Sequence, residues 1–151
     1  MKQYTKPDEM IFHDWLRENK VKRLELLHHE YPLGNASKLL EGDTRKSKLN
    51  DSRIYGAGVI GRIDVIFKYN KKTYIGEIKY MKAPSDFWEA LKVIGYCEYY
   101  KWQTGTSNVF PAVLIPIESV KLEHQIVANK LKIKIFVIEK LSNGYLVKDM
   151  N

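Results

Sequence analysis

The chain holds a single cysteine, Cys97, which excludes an internal disulfide and any multi-cysteine zinc site. No apolar run is long enough to span a membrane, and the N-terminus lacks a signal-peptide pattern. The expectation is a soluble, cytoplasmic protein with no membrane partner, encoded by a cell or by a virus acting inside one. No Walker-type phosphate loop is present. Gly56-Ala-Gly58 lacks the lysine-serine ending, and its flanks suit a turn into a strand. No internal repeat and no linker is visible, so residues 1–151 read as one domain around one core.

What is present is positive charge. The net charge is +7, with a pI near 9.3, a balance that favours polyanionic partners, chiefly nucleic acid. Apolar residues make up 44%, enough for a packed core. Thr5 to Asn19 reads as a helix, with Pro7 in its first turn and Asp8 and Glu9 opposing the positive end of its dipole. Val21 to Tyr31 alternates like a strand and is ended by Pro32-Leu-Gly34. Residues 35–57 form a polar, basic loop or insertion carrying Lys38, Arg45, Lys46, Lys48 and Arg53. Strands are expected at Val59 to Tyr69 and Thr73 to Tyr80. A helix capped by Ser85 should run to Trp102, with Trp88, Leu91, Gly95, Tyr99 and Trp102 along one face. Val109 to Ile117 reads as strand, Val120 to Leu131 as helix and Ile133 to Glu139 as strand. Ser142-Asn-Gly144 then turns into Tyr145 to Val147. The sum is an α/β fold with a central mixed β-sheet flanked by helices.

The chemistry concentrates in the two strands after the basic loop. Along the first, Arg62, Asp64, Ile66 and Lys68 share one face, while Ile63, Val65, Phe67 and Tyr69 form an apolar one. In the second, Ile75, Glu77 and Lys79 share a face. A two-residue turn at Asn70-Lys71 pairs the strands so that Asp64 lies directly opposite Glu77. A turn of odd length would move one of them to the other face. Two carboxylates about 4 Å apart repel by roughly 4 kcal/mol at a surface-like dielectric. A cation between them relieves this, and Mg²⁺ suits a pair of carboxylates completed by waters and substrate phosphate. Lys79, on the Glu77 face, is placed to hold an attacking water or steady charge growing on the phosphate. The bland alternative is an exposed polar face of ordinary ion pairs.

Gly61-Arg-Ile-Asp64 with Glu77-Ile-Lys79, followed by a helix bearing Glu89-Ala-Leu-Lys92-Val-Ile-Gly-Tyr96, resembles the PD-(D/E)xK nuclease superfamily. The likeness is to the branch of RecB-like nuclease domains and archaeal Holliday-junction resolvases. It implies a restriction-endonuclease-like fold and a Mg²⁺- or Mn²⁺-dependent nuclease acting on phosphodiester bonds, DNA before RNA. By this resemblance Asp64 and Glu77 are metal ligands, the backbone carbonyl of Ile78 adds a third, and Lys79 is the catalytic lysine. The superfamily often adds an acidic residue from the first helix: Glu9 is the choice here and Glu18 the alternative, while Glu30 could reach the site from a neighbouring strand. Ile63 stands where the motif's name has proline. Lys92 stands where RecB-like members often carry glutamine.

Candidate nucleic-acid contacts are Arg62, the basic-loop residues Arg45, Lys46 and Lys48, and Lys92 with Tyr96, which share a helix face with Tyr100. Cutting both strands of a duplex usually needs two sites, so a homodimer is compatible with this reading. His28-His29-Glu30 could suggest a metal site, but neighbours on a regular strand point opposite ways and cannot all reach one ion. The tryptophans fit helix packing better than base stacking. A nuclease-fold protein that binds or assembles without cutting is the second reading.

Overall fold

The computed structural model describes residues 6–34 and 59–150. The basic segment with Arg45, Lys46 and Lys48 lies outside them. The first helix, α1 (Lys6–Arg17), carries Asp8 and Glu9 in its first turn and Arg17 in the last, matching the helix dipole. There follow β1 (Glu25–Gly34), β2 (Val59–Tyr69), β3 (Lys72–Ile78), α2 (Asp86–Ala90), α3 (Val93–Thr104), β4 (Val109–Pro116), α4 (Leu122–Leu131), β5 (Lys134–Leu141) and β6 (Gly144–Asp149). The strands form one six-stranded sheet in sequential order. β1, β2 and β3 pair antiparallel, β3, β4 and β5 parallel, and β6 closes antiparallel on β5. Each parallel step needs a crossover, supplied by α2–α3 and then by α4. Among the described residues no helix is long and apolar enough to cross a membrane.

Both sheet faces are covered. Under α1, Phe12 and Leu16 pack with Val65, Phe67, Leu114, Phe136, Tyr145 and Val147. Truncating Phe12, which is wholly buried, would cost about 3–5 kcal/mol. On the opposite face Ile66, Ile75, Val113, Ile115 and Val137 pack with Phe87, Ala90, Val93, Cys97 and Ala128 from the other helices. Cys97 is buried, as its helix position suggests, and burial pushes its thiol up to about 11.

Several details differ from the sequence expectation. Pro32 lies within β1, whose last residue is Gly34. β1 is an edge strand, where a missing N–H costs least. The helix expected from Ser85 to Trp102 is two helices joined at Leu91-Lys92 by tight i→i−3 bonds, Leu91 N–H to Trp88 and Lys92 N–H to Glu89. Ser85 makes no side-chain cap; the Asp86 carboxylate instead accepts the N–H groups of Lys82 and Ala83 at 2.6 and 2.8 Å. The buried face of this pair is Phe87, Ala90, Val93 and Cys97. The expected face divides: Trp88 is 52% and Trp102 71% exposed, while Leu91 and Tyr99 are partly buried against the core. Apolar and aromatic residues surround these helices, so periodicity alone could not choose the inner side. Of the tryptophans, Trp15 is the one packed against the core, edge-on to Tyr145.

Candidate active site

The β2–β3 hairpin turns at Asn70 and Lys71, both with left-handed backbone (φ 49° and 68°), as a two-residue turn of the primed type requires. Pairing runs from Tyr69–Lys72 to Val65–Gly76. One further step in that register would set Asp64 against Glu77, the pairing expected from sequence. There the backbone ladder stops. The Asp64 carboxylate replaces it, accepting the Ile78 N–H at 2.9 Å.

Strand β2 also turns over at this point. Val65 and Phe67 face α1, yet Ile63 belongs to the opposite core. Ile63 therefore does not continue the apolar face of Val65 and Phe67, as strict alternation would have it. Gly61 explains the close approach. A Cβ there would fall inside the hydroxyl and ring of Tyr96, so only glycine lets α3 lie this near to β2.

The splayed hairpin opens at the carboxyl end of β3, between an antiparallel and a parallel neighbour. Such changes of topology are common places for a ligand crevice. Glu77 ends up 5% exposed. Its Oε1 is buried without a hydrogen-bond partner. Its Oε2 lies 3.7 Å from Lys92 Nζ. Burial, then the Asp64 charge, pushes the Glu77 carboxyl up to about 8, against a smaller pull from Lys92 and Lys79. Asp64 is raised as well, by burial first, although the Ile78 N–H and the His13 charge oppose this. Two carboxyls that each disfavour ionisation, one with an unsatisfied buried oxygen, are the condition a hard dication relieves. The donor set, two carboxylates beside the Ile78 backbone, fits Mg²⁺ or Mn²⁺.

Lys79 Nζ bonds Glu89 of α2 at 3.2 Å. Burial pulls its ammonium down, but the Glu89 bond and charge, with Asp86 and Glu77 behind, outweigh this and hold it above the ordinary lysine value. Lys79 is thus a protonated cation on the Glu77 side. From α1, Glu9 Oε1 accepts the Tyr80 N–H at 3.4 Å, and its charge acts on Asp64. Glu9 is therefore beside the pair. Glu18 is not: it is exposed and pairs with Lys20 at 3.2 Å.

The nucleic-acid candidates divide. Arg62 is exposed, two residues before Asp64 on β2. Lys92 reaches Glu77 and sits 5.8 Å from the Tyr96 ring centroid. Tyr96 is packed between that ammonium and Gly61, and Tyr100 stacks edge-on to Tyr31 at 5.5 Å. The tyrosines of that face pack toward β1 and β2, and Tyr96, half-buried, braces the site beside the exposed Lys92.

One group was missed. His13, one turn after Glu9 on α1, points its Nδ1 at His29 Nε2 across 2.8 Å. Ligand atoms of His13, His29 and Glu30 lie within 4.8 Å of one another. His28 stays out of the group, its ring against Tyr31, but alternation fails between His29 and Glu30. β1 slips register between Leu26 and His28, and Glu30 has a left-handed backbone (φ 57°), so His29 and Glu30 reach the same side. The i, i+4 spacing of Glu9 and His13 was the available signal. Burial, then the His13 charge, lowers the His29 pKa. Comparison of the chain with family models, with curated proteins and with solved structures finds no match in any of the three.

Proposed function

We propose that this chain is a metal-dependent nuclease with a restriction-endonuclease-like fold, hydrolysing phosphodiester bonds in DNA. The observation that carries the reading is the pair Asp64 and Glu77, one step beyond the Val65–Gly76 pairing, with Glu77 buried, one of its oxygens unsatisfied and Lys79 on the same side. Asp64, Glu77 and the Ile78 carbonyl would hold Mg²⁺ or Mn²⁺. When bound, the ion supplies Lewis acidity and lowers the pKa of a water ligand. The residues do the rest. Asp64 is fixed by the Ile78 N–H, so its free oxygen is pre-aimed. Lys79, held protonated by Glu89, orients the nucleophile and offsets charge on the phosphate. Glu9 adds a carboxylate at the edge of the pair. Arg62 and the basic balance of the chain hold the backbone, so binding should weaken steeply with salt.

The test is cleavage of labelled linear duplex, single strand, flap and four-way junction with Mg²⁺, Mn²⁺ or EDTA. Metal-dependent cutting that Asp64→Ala and Lys79→Ala both abolish supports the reading. Intact DNA binding with no cutting, indifferent to both substitutions, sinks it.

A second reading has its own observation. Lys92 sits where the RecB-like pattern has glutamine and reaches Glu77, while Lys79 is engaged by Glu89. An internal ammonium that neutralises Glu77 suits a nuclease-fold protein that binds nucleic acid without cutting. Lys92→Gln separates the two, since it should raise metal affinity in an enzyme and leave a pure binding protein inert.

A further inference from the structure

We propose that His13, His29 and Glu30 form a transition-metal site, one that takes Zn²⁺ in preference to Mg²⁺ and ties α1 to β1 beside the Asp64–Glu77 pair. Three observations converge. The donor atoms of the three residues already lie within 4.8 Å of one another. The two imidazoles meet nitrogen to nitrogen at 2.8 Å, with rings 5.1 Å apart and tilted by 60°. The strand is deformed to produce this, by a register slip at Leu27 and a left-handed Glu30. A non-glycine residue in that conformation costs about 1 kcal/mol, and such outliers gather at ligand sites.

The donor chemistry selects the ion. Two imidazole nitrogens and one carboxylate oxygen suit Zn²⁺, Co²⁺ or Ni²⁺, and leave open positions for water or a further ligand. Mg²⁺ prefers oxygen alone. Donors around a tetrahedral zinc stand about 3.3 Å apart, so the imidazole nitrogens need to part by only about half an ångström. The oxygen-only pair at Asp64 and Glu77 has the opposite preference, so the two centres would sort two kinds of ion. They also touch through α1. His13 lies one turn from Glu9, and its charge is felt at Asp64. An ion that pins His13 to β1 therefore fixes the stretch of α1 that carries Glu9.

The site stands independently of the nuclease reading and can be tested on a protein that cuts nothing. The metal-stripped full chain is titrated with Co²⁺, following its visible d–d absorption, and the bound Co²⁺ is then competed with Zn²⁺ and separately with millimolar Mg²⁺. The variants are His29→Gln, the exposed-side Glu30→Gln, and Asp64→Asn. The expected result is one equivalent of Co²⁺, displaced by Zn²⁺ and not by Mg²⁺. Affinity should fall at least about tenfold in His29→Gln and in Glu30→Gln, and change less than about twofold in Asp64→Asn. Far-ultraviolet circular dichroism of each variant checks folding, and Glu30→Gln keeps the test valid if His29→Gln misfolds. Binding that survives both β1 substitutions, or that Asp64→Asn removes, overturns the assignment.

Discussion

Two polar clusters sit side by side on this sheet, and the strands beneath them are built differently. The Asp64–Glu77 pair lies one step past the paired part of a hairpin, whose two-residue turn and regular register from Tyr69–Lys72 to Val65–Gly76 set which side chains come opposite. The His13–His29–Glu30 group rests on a strand that slips register and turns left-handed, and on a helix from elsewhere in the chain. The first can be deduced by counting residues from a turn. The second arises where counting fails. Irregularity, and not only pattern, brings polar groups together.

The largest effect expected on this comparison is chemical. Asp64→Ala or Lys79→Ala should lower Mg²⁺-dependent DNA cleavage by a factor of about 10³ or more, read as initial rates at saturating metal. Near-native cutting in either variant would detach the regular hairpin from catalysis. The next effect is on packing. Gly61→Val places a side chain inside the Tyr96 ring and should cost about 2–3 kcal/mol, seen as a thermal midpoint lower by about 4–10 °C. An unchanged midpoint would mean that α3 stands off β2 in solution.

A third prediction concerns pH. The Glu77 carboxyl is raised from 4.5 to about 8 in the folded chain. Between those values the folded state holds a proton that the unfolded state has lost. Stability in EDTA should therefore fall as pH climbs through that window and level off above it. Glu77→Gln removes the dependence and should stabilise the metal-free protein by about 1–3 kcal/mol at pH 8. Urea midpoints at pH 5 and pH 8 decide this, and a native slope equal to that of the variant contradicts it. The smallest effect is at Glu30. Glu30→Gly relieves a left-handed backbone and should raise stability in EDTA by about 0.5–1 kcal/mol. With Zn²⁺ present the sign should reverse, because a ligand is lost. The paired melting curves sharpen the contrast between the two clusters, and a gain that persists in Zn²⁺ would weaken the second one.

Much of the fold was legible because it is local. The α1 helix declares itself by its charged ends, β2 by its apolar alternation, and the Asn70-Lys71 turn by its tolerance of positive φ. The opposition of Asp64 and Glu77 follows from these alone. The inner face of α2 and α3 was not legible, because residues such as Trp88 and Phe87 are adjacent and both apolar, and packing against the sheet chose Phe87. The role of Lys92 was half legible. Its place one turn before Tyr96 is a matter of spacing, but its reach to Glu77 depends on the tight turn that splits the helix.

By itself, then, the sequence determined the α/β pattern, the hairpin register and the facing carboxylates, since each depends on neighbours a few residues apart and on the twofold alternation of a strand. Only the tertiary structure decided that Glu9 and His13 of α1 stand beside that pair, that Ile63 crosses to the other core, and that His29 and Glu30 converge. Those outcomes rest on contacts between distant segments and on a left-handed residue in β1, which burial of the surrounding core sustains and no local periodicity encodes.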